Sequence, residues 1–189
     1  FYRDMLARCR AIVPGVAISS DFIVGFCGES ETSFQKTMDL VREAKFKNSF
    51  IFKYSTRPGT KADDLYPDDI PEEIKKRRNN DLLAVQNANC LEDHKARIGE
   101  TVNVLVEGPS RVGERQPPGL RQMTGRTMTD HIVVFDGHDR LVGRTLSAKV
   151  KEASPFTLFA DVETGEIAGG ELVAREAEPV RRVGLPLIG

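Results

Sequence analysis

The sequence has few cysteines, no long apolar run and no excess of charge, and each shortage argues against a class of protein. Its three cysteines, Cys9, Cys27 and Cys90, fit neither a disulfide framework nor a zinc ribbon, so reduced cytoplasmic thiols are expected. The longest apolar run, around 22–27, is far shorter than the roughly 20 residues of a membrane helix, and no signal-peptide pattern opens the chain. A net charge of −1 argues against a polycationic nucleic-acid binder, so any RNA contact must be local.

The first part of the chain alternates helical and extended patterns. Apolar residues at steps of three and four predict a helix that ends at Pro14-Gly15, and a strand follows at 16–24. Ser30 starts a second helix, and 48–54 forms another strand. This order is typical of parallel βαβ packing. The chain begins with Phe rather than Met, which predicts a piece of a longer protein. The apolar stripe of the first helix comprises Tyr2, Met5, Leu6, Cys9, Ile12 and Val13, and Cys9 is expected to be a buried small hydrophobe.

A long polar helix is predicted after a loop rich in Pro, Gly and Asp at 57–71. The helix begins at Pro71-Glu72 and runs to about Ala96, and its apolar positions are sparse. We therefore expect it to lie on a surface and to bridge two domains. Its basic run, 75–78, is either a solvated face or a track for an RNA backbone.

From Glu100 the apolar pattern changes to period two, which is typical of strands. Five short strands in about 65 residues predict a small antiparallel barrel related in shape to OB folds. Residues 164–189, with little periodicity, are expected to be a flexible tail. The predicted strands are 102–106, 122–129, 131–136, 145–152 and 157–162.

Two segments at strand ends suggest a ligand site. Gly25-Phe26-Cys27-Gly28-Glu29 follows the first strand, and Tyr54-Ser55-Thr56-Arg57-Pro58-Gly59-Thr60-Lys61-Ala62 follows the second. Because carboxyl ends of strands in α/β folds hold ligands, and glycine permits close backbone approach, both ends are candidate binding positions. The glycines alone are equally explained by a tight turn, and Arg57 by an ion pair with Asp63 or Asp64.

Together these segments resemble the last two strands of the radical S-adenosylmethionine (SAM) barrel in MiaB-type tRNA methylthiotransferases. Cys27 replaces the proline that is usual in the first motif, which loosens the turn without forbidding it. Strings beginning at Leu105, Gln122, Ile132 and Glu152 resemble the TRAM domain, the RNA-binding module that closes these enzymes. The chain has Thr-Met-Thr-Asp-His at 127–131 where the family commonly has Thr-Arg-Thr-Asn and a basic residue, which lowers the positive charge at the RNA face.

The resemblance implies an α/β plus all-β fold, with the C-terminal part of a radical SAM (partial TIM-like) barrel at 1–98 and an OB-like TRAM barrel at 99–163. It implies a cytoplasmic, monomeric transferase that uses SAM and two [4Fe-4S] clusters to add a 2-methylthio group to N6-(dimethylallyl)adenosine beside the tRNA anticodon. The cluster cysteines, a Cys-x-x-x-Cys-x-x-Cys triplet, are not in this chain, so the chain alone is expected to be inactive and to bind no metal. Alternatives are a TRAM module without catalysis and a sister methylthiotransferase acting on threonylcarbamoyl-adenosine or a ribosomal protein.

The resemblance also implies two sets of contact residues. Those expected to bind SAM are Ser20, Asp21, Ile23, Gly25, Tyr54, Ser55 and Arg57. Those expected to bind RNA are Arg111, Arg121, Arg126, His131, Lys149, Lys151 and Phe156. Each member of the RNA set, taken singly, is also explained as an ordinary surface charge or core ring.

Overall fold

A computed structural model describes residues 1–162, and the predicted tail lies outside this range. The chain divides into two compact units, one formed by Phe1–Asp93 and the other beginning at His94. No helix in the described range is long and apolar enough to cross a membrane.

The first unit contains a two-stranded parallel sheet with helices. The strands pair in register from Ser19 opposite Asn48 to Val24 opposite Lys53, so their carboxyl ends lie at the same edge. This pairing confirms the predicted order of helices and strands. The elements are α1 Tyr2–Ile12, β1 Ser19–Val24, α2 Glu31–Ala44, β2 Asn48–Lys53, α3 Lys61–Leu65 and α4 Glu72–Ala96, the last of which continues past the division after Asp93.

The core of the first unit forms where α1, α2 and α4 bury apolar side chains with β1. Ser30 caps α2 by accepting a hydrogen bond from the Ser33 amide, which starts the helix at the predicted residue. The helix predicted at α1 forms, but the prediction that Cys9 is buried was wrong, because Leu6 is the one residue of its stripe that is buried. The buried core residues are Leu6, Val24, Phe34, Met38, Val41, Ala44, Phe46 and Leu82.

The predicted polar helix forms as α4, but it buries more of its surface than its sparse apolar positions indicated. One of its faces is buried, although most of the side chains on that face are polar. Its members recur at steps of three and four, the spacing of a single helix face. Within the first unit these buried residues are Lys75, Arg78, Leu82, Gln86 and Cys90.

Polar side chains on α4 are tolerated in this interior because they satisfy buried hydrogen-bonding groups. The Gln86 amide donates to the Phe46 carbonyl (2.9 Å) and accepts from the Ser49 hydroxyl (3.0 Å). Asn89 donates to the Val41 carbonyl at 2.8 Å. Such partners remove the cost of burying an unpaired polar group. A search for apolar periodicity therefore misses this buried face.

The second unit is a closed five-stranded barrel in the order β3-β4-β5-β7-β6. Sequence reasoning predicted an antiparallel barrel, but β5 and β7 pair in parallel. The reason is geometric, because strands that alternate in direction cannot close a ring when their number is odd. The strands are β3 Thr101–Pro109, β4 Leu120–Arg126, β5 Ile132–His138, β6 Thr145–Ala153 and β7 Leu158–Val162.

Alternating side chains from all five strands fill the barrel. Register shifts after Val106 and after Val150 mark irregularities that let the two long strands bend around so small a core. Gly125 is required by this packing, because a β-carbon there would overlap the Leu105 backbone and Val104. The buried core residues are Val104, Val106, Met123, Val133, Phe135, Ala148, Val150, Leu158 and Ala160.

Candidate functional site

The two predicted ligand segments meet at the carboxyl edge of the β1–β2 sheet. The amide of Tyr54 donates to the Val24 carbonyl at 2.9 Å, which continues the pairing past the last residue of each strand. Gly25 follows β1 at this point with a φ of +71°, a conformation that L-residues with a side chain rarely adopt. Glycine at position 25 therefore lets the chain change direction at the edge of the sheet.

The turn after Gly25 is held by a buried carboxylate. Gly28, with a φ of +72°, lets the Glu29 amide reach the Phe26 carbonyl at 2.9 Å. The Glu29 carboxylate accepts from the Gly25 amide (2.6 Å) and from the Arg78 guanidinium (2.8 Å). The Glu29 and Arg78 side chains are only 12% and 5% exposed. This turn is fixed without the usual proline, so Cys27 does not prevent it from forming.

A second buried ion pair fastens the 57–71 loop to the same edge. The Lys75 ammonium is 2.6 Å from the Asp68 carboxylate and donates to the Tyr54 carbonyl at 3.2 Å. The Lys75 side chain is 4% exposed. In addition, Asp69 accepts from the Gly28 amide at 2.8 Å. The loop, the glycine turn and the end of β2 therefore form one connected framework around α4.

Sequence reasoning did not assign Lys75 or Arg78 to this framework. It read the run 75–78 as a solvated face or an RNA track, whereas the structure buries its first and last members. Lys76 and Arg77 are exposed, and Arg77 pairs with Glu31 at 2.6 Å. The available signal was the spacing of three residues, which puts the two buried cations on one helix face.

Tyr54 lies beneath the glycine turn. Its ring is 4.9 Å from that of Phe26 in an edge-to-face arrangement, and the Lys75 ammonium lies 5.3 Å from the ring centre. The Tyr54 hydroxyl is buried and finds no hydrogen-bond partner among residues 1–162. The neighbouring Cys27 side chain, followed by burial, raises the pKa of Tyr54 above its ordinary value.

The predicted SAM contacts divide between the two faces of the sheet. Asp21 and Ile23 are exposed on the open face. Ser20 points to the other face, where its hydroxyl lies 3.2 Å from the Tyr2 hydroxyl. Ser55 and Arg57 are exposed beyond the end of β2, and Arg57 makes no ion pair with Asp63 or Asp64 within the described range. The open face is apolar apart from Asp21 and the first residues of the strands, and its large exposed side chains are Ile23, Phe50 and Phe52.

The predicted RNA contacts do not gather on one surface of the barrel. Strand directions place Arg111 and Arg121 toward the end where β3 leads into β4. Arg126 and Phe156 lie toward the opposite end, and Lys149 and Lys151 lie along β6. Three of these cations are held by acids, since Arg121 pairs with Asp139 (2.7 Å), Arg126 with Asp130 (2.6 Å) and Lys151 with Asp161 (3.3 Å). Asp130 raises the pKa of Arg126.

His131 is 1% exposed, a position that prevents direct contact with a phosphate without local opening. Its Nδ1 is 2.9 Å from the Thr129 hydroxyl, and its amide donates to the Thr127 hydroxyl at 3.1 Å. Its ring centre is 5.2 Å from that of His94 in the same unit. We therefore omit His131 from the RNA surface proposed below.

Comparison with known proteins finds one domain model and several similar proteins that match this chain. Residues 95–162 match the model of the TRAM domain. The chain is 48% identical over 168 residues, 88% of its length, to a tRNA-2-methylthio-N(6)-dimethylallyladenosine synthase of Rhodopirellula baltica. It is 44% identical over 166 residues, again 88% of its length, to a synthase of the same name from Acidovorax sp..

The chain is homologous to part of these synthases. A synthase of the same name from Porphyromonas gingivalis is 40% identical over 162 residues, 86% of the chain. The resemblance expected from the sequence motifs is thereby confirmed. The chain spans about a third of the length of these relatives, with 35%, 36% and 34% of their residues covered.

Proposed function

We propose that the chain is a portion of a tRNA methylthiotransferase that adds a 2-methylthio group to N6-(dimethylallyl)adenosine next to the anticodon by radical SAM chemistry. The observation that supports this most strongly is the 48% identity over 88% of the chain to the Rhodopirellula synthase. Eight of the relatives that match this chain have the same name, which favours the dimethylallyl-adenosine branch over the sister enzymes. A tRNA-modifying role would place the protein in the cytoplasm.

The unit Phe1–Asp93 is proposed to be the C-terminal part of the radical SAM barrel. Parallel strands with their carboxyl ends at one edge, and an apolar open face on the sheet, suit a barrel wall. When bound, SAM supplies both the radical and the methyl group. The residues proposed to contact it are the glycine turn, the open-face side chains and the exposed polar residues after β2, namely Gly25, Asp21, Ile23, Ser55 and Arg57.

Ser20 and Tyr54 have a different role in this proposal. Ser20 lies against α1, and Tyr54 is buried beneath the turn, so both support the rim rather than line its open side. Gly25 adopts the positive φ that the turn requires, while Glu29 and Lys75 hold the turn and the loop in place. The framework thereby orients the rim before the cofactor arrives.

The iron-sulfur clusters do not fit this chain. Cys9 lies on α1, Cys27 in the glycine turn and Cys90 on α4, and within residues 1–162 these thiols do not converge on one site. A [4Fe-4S] cluster needs thiolates that converge on one site. The two clusters are therefore assigned to other parts of the full enzyme.

A hybrid enzyme tests the proposed function. The chain replaces the aligned segment of the Rhodopirellula synthase, and tRNA from cells that lack their own synthase is digested and analysed by mass spectrometry. We expect 2-methylthio-N6-(dimethylallyl)adenosine, and none in a hybrid with Arg57→Ala and Asp21→Ala. An exposed pair away from the rim, Lys36→Ala with Arg8→Ala, serves as the control that keeps the activity.

The outcomes separate the alternatives. Methylthiolation of threonylcarbamoyl-adenosine, or of a ribosomal protein, would assign the chain to a sister enzyme. A soluble hybrid that keeps its clusters and binds tRNA but modifies nothing would favour an RNA-binding module without a catalytic role. Either result would overturn the proposed activity.

A further inference from the structure

The two ends of the barrel differ in charge. Because β3, β5 and β7 run in one direction and β4 and β6 in the other, the β3–β4 and β5–β6 connections lie at one end. The β4–β5 and β6–β7 connections lie at the opposite end. The first pair of connections, 110–119 and 139–144, contains four arginines and two acids. The second pair, 127–131 and 154–157, has Asp130 as its one residue of full charge.

We propose that the end with the four arginines, called here the arginine end, is the surface that binds the phosphate backbone of the tRNA. The arginine end is defined by Arg111, Arg115, Arg140 and Arg144. This inference rests on the proposed function, which supplies tRNA as the partner. It moves the RNA surface away from the strand residues and His131 to the loops.

The arginines of this end are available for an external ligand. All four are exposed, and none forms an ion pair within residues 1–162. Of the two acids, Asp139 is already neutralised, because Arg121 lies 2.7 Å from it. Partial burial opposes ionisation of Asp139, yet the Arg121 pair and the Gly119 amide still lower its pKa. Glu114 is then the single acid that remains to oppose four guanidinium groups.

The loops that position these arginines are held by short-range contacts. The Ser110 hydroxyl accepts from the Gly113 amide (3.0 Å) and donates to the Gln122 side chain (2.7 Å). Gly113 is buried, and a β-carbon there would overlap the Gln122 carbonyl, so the β3–β4 connection is pressed against β4. A loop that is ordered before binding loses less conformational entropy when RNA arrives.

The second connection lies across the same end of the barrel. The Asp139 amide donates to the Gly119 carbonyl at 3.3 Å, and the Val106 amide donates to the Arg144 carbonyl at 2.9 Å. These bonds join the β5–β6 connection to the β3–β4 hairpin. The two connections that carry the four arginines therefore lie together at this end of the barrel. Guanidinium groups pair with phosphate through planar forks and also stack on bases, which suits a folded RNA loop.

The strand cations are weaker candidates. Arg126 has two acidic partners, Asp130 and Glu107, and Lys151 has Asp161. A phosphate would have to displace these carboxylates. Lys149 is exposed, but its neighbour in the barrel register is also Asp161. Asp161 therefore lies close to both lysines and lowers the positive potential along β6.

The test compares two triple variants of the 189-residue chain, each of which removes three positive charges. One is Arg111→Gln, Arg115→Gln and Arg144→Gln at the arginine end, where Arg140 is kept because it follows the structural Asp139. The other is Arg126→Gln, Lys149→Gln and Lys151→Gln on the strands. Binding of a fluorescein-labelled anticodon stem-loop RNA is measured by anisotropy over a range of salt concentrations, after circular dichroism confirms that each variant is folded.

We expect the loop variant to bind about tenfold or more weakly and its salt slope to fall by about 2, the value for three lost phosphate contacts on single-stranded RNA. The strand variant should change affinity by less than about threefold. If the strand variant loses affinity and the loop variant does not, the inference is wrong while tRNA binding by this unit stands. If the unaltered chain fails to bind the stem-loop at low salt, both the inference and the RNA-binding role of the unit are wrong.

Discussion

The side chain of Lys75 fills the space beside Gly25 that a β-carbon would need. A methyl group at Gly25 would overlap the Lys75 Cγ, and the backbone there has a φ of +71°. Lys75 is itself held by Asp68 and by the Tyr54 carbonyl, so it cannot move aside easily. Glycine is thus required at position 25 for two reasons. Its φ is positive, and the Lys75 side chain of α4 occupies the space that a β-carbon would need.

Gly25→Ala is expected to destabilise the first unit by about 2–4 kcal/mol, since it combines backbone strain with overlap against a fixed side chain. Gly28→Ala is a matched control, because Gly28 has nearly the same φ, +72°, but open space where its β-carbon would lie. That variant should cost only about 1–2 kcal/mol. Urea denaturation of both variants measures the difference. Equal losses would show that Lys75 does not restrict the position.

Arg78→Ala and Arg77→Ala test how far burial decides the value of neighbouring ion pairs. Arg78 pairs with Glu29 where both side chains are almost fully buried, so its removal leaves a buried carboxylate and should cost about 3–5 kcal/mol. Arg77 pairs with Glu31 on the surface, and its loss should be within the error of a denaturation curve. Similar effects from both variants would mean that Glu29 finds water or another partner.

The first unit shows which features the sequence could predict. The order of helices and strands followed from apolar periodicity and from signals such as the Ser30 cap. The buried face of α4 did not, because its cations and amides are stabilised by partners distant in sequence, for example Gln86 with Phe46. Periodicity detects burial only where the buried residues are apolar.

The barrel shows a second limit of prediction from the sequence. Period-two patterns predicted its five strands, but not the parallel β5–β7 pair, which follows from closing an odd number of strands. Individual cations could be proposed as RNA contacts from a family resemblance. Which of them share a surface depends on strand order, and this separates Arg111 from Arg126 although both lie near β4.

The isolated chain is expected to be colourless after reconstitution with iron and sulfide, and to cleave no SAM. Its three thiols are on separate elements, and burial raises the pKa of the Cys90 thiol. In a reaction with a thiol reagent, exposed Cys9 should react fastest and Cys90 slowest, because the thiolate is the reactive form. Visible absorption and thiol counting measure both properties. A brown preparation that cleaves SAM would contradict the assignment of the clusters to other parts of the enzyme.

Tyr54→Phe tests the buried hydroxyl beneath the glycine turn. The pKa of Tyr54 is raised, first by Cys27, so the folded state keeps a proton that the unfolded state releases near pH 10. The contribution of the Tyr54 proton to the free energy of unfolding is therefore complete below that pH and is lost as the pH rises through the folded-state pKa.

The Tyr54→Phe variant should have an unchanged or slightly higher denaturation midpoint at pH 7, because it removes a hydroxyl without a hydrogen-bond partner in the described range. Its tyrosine absorbance should finish titrating at a lower pH than that of the unaltered chain. A clear loss of stability at pH 7 would instead reveal a hydrogen bond to Tyr54, and a Cys27→Ala variant then separates the effect of the thiol from that of the ring.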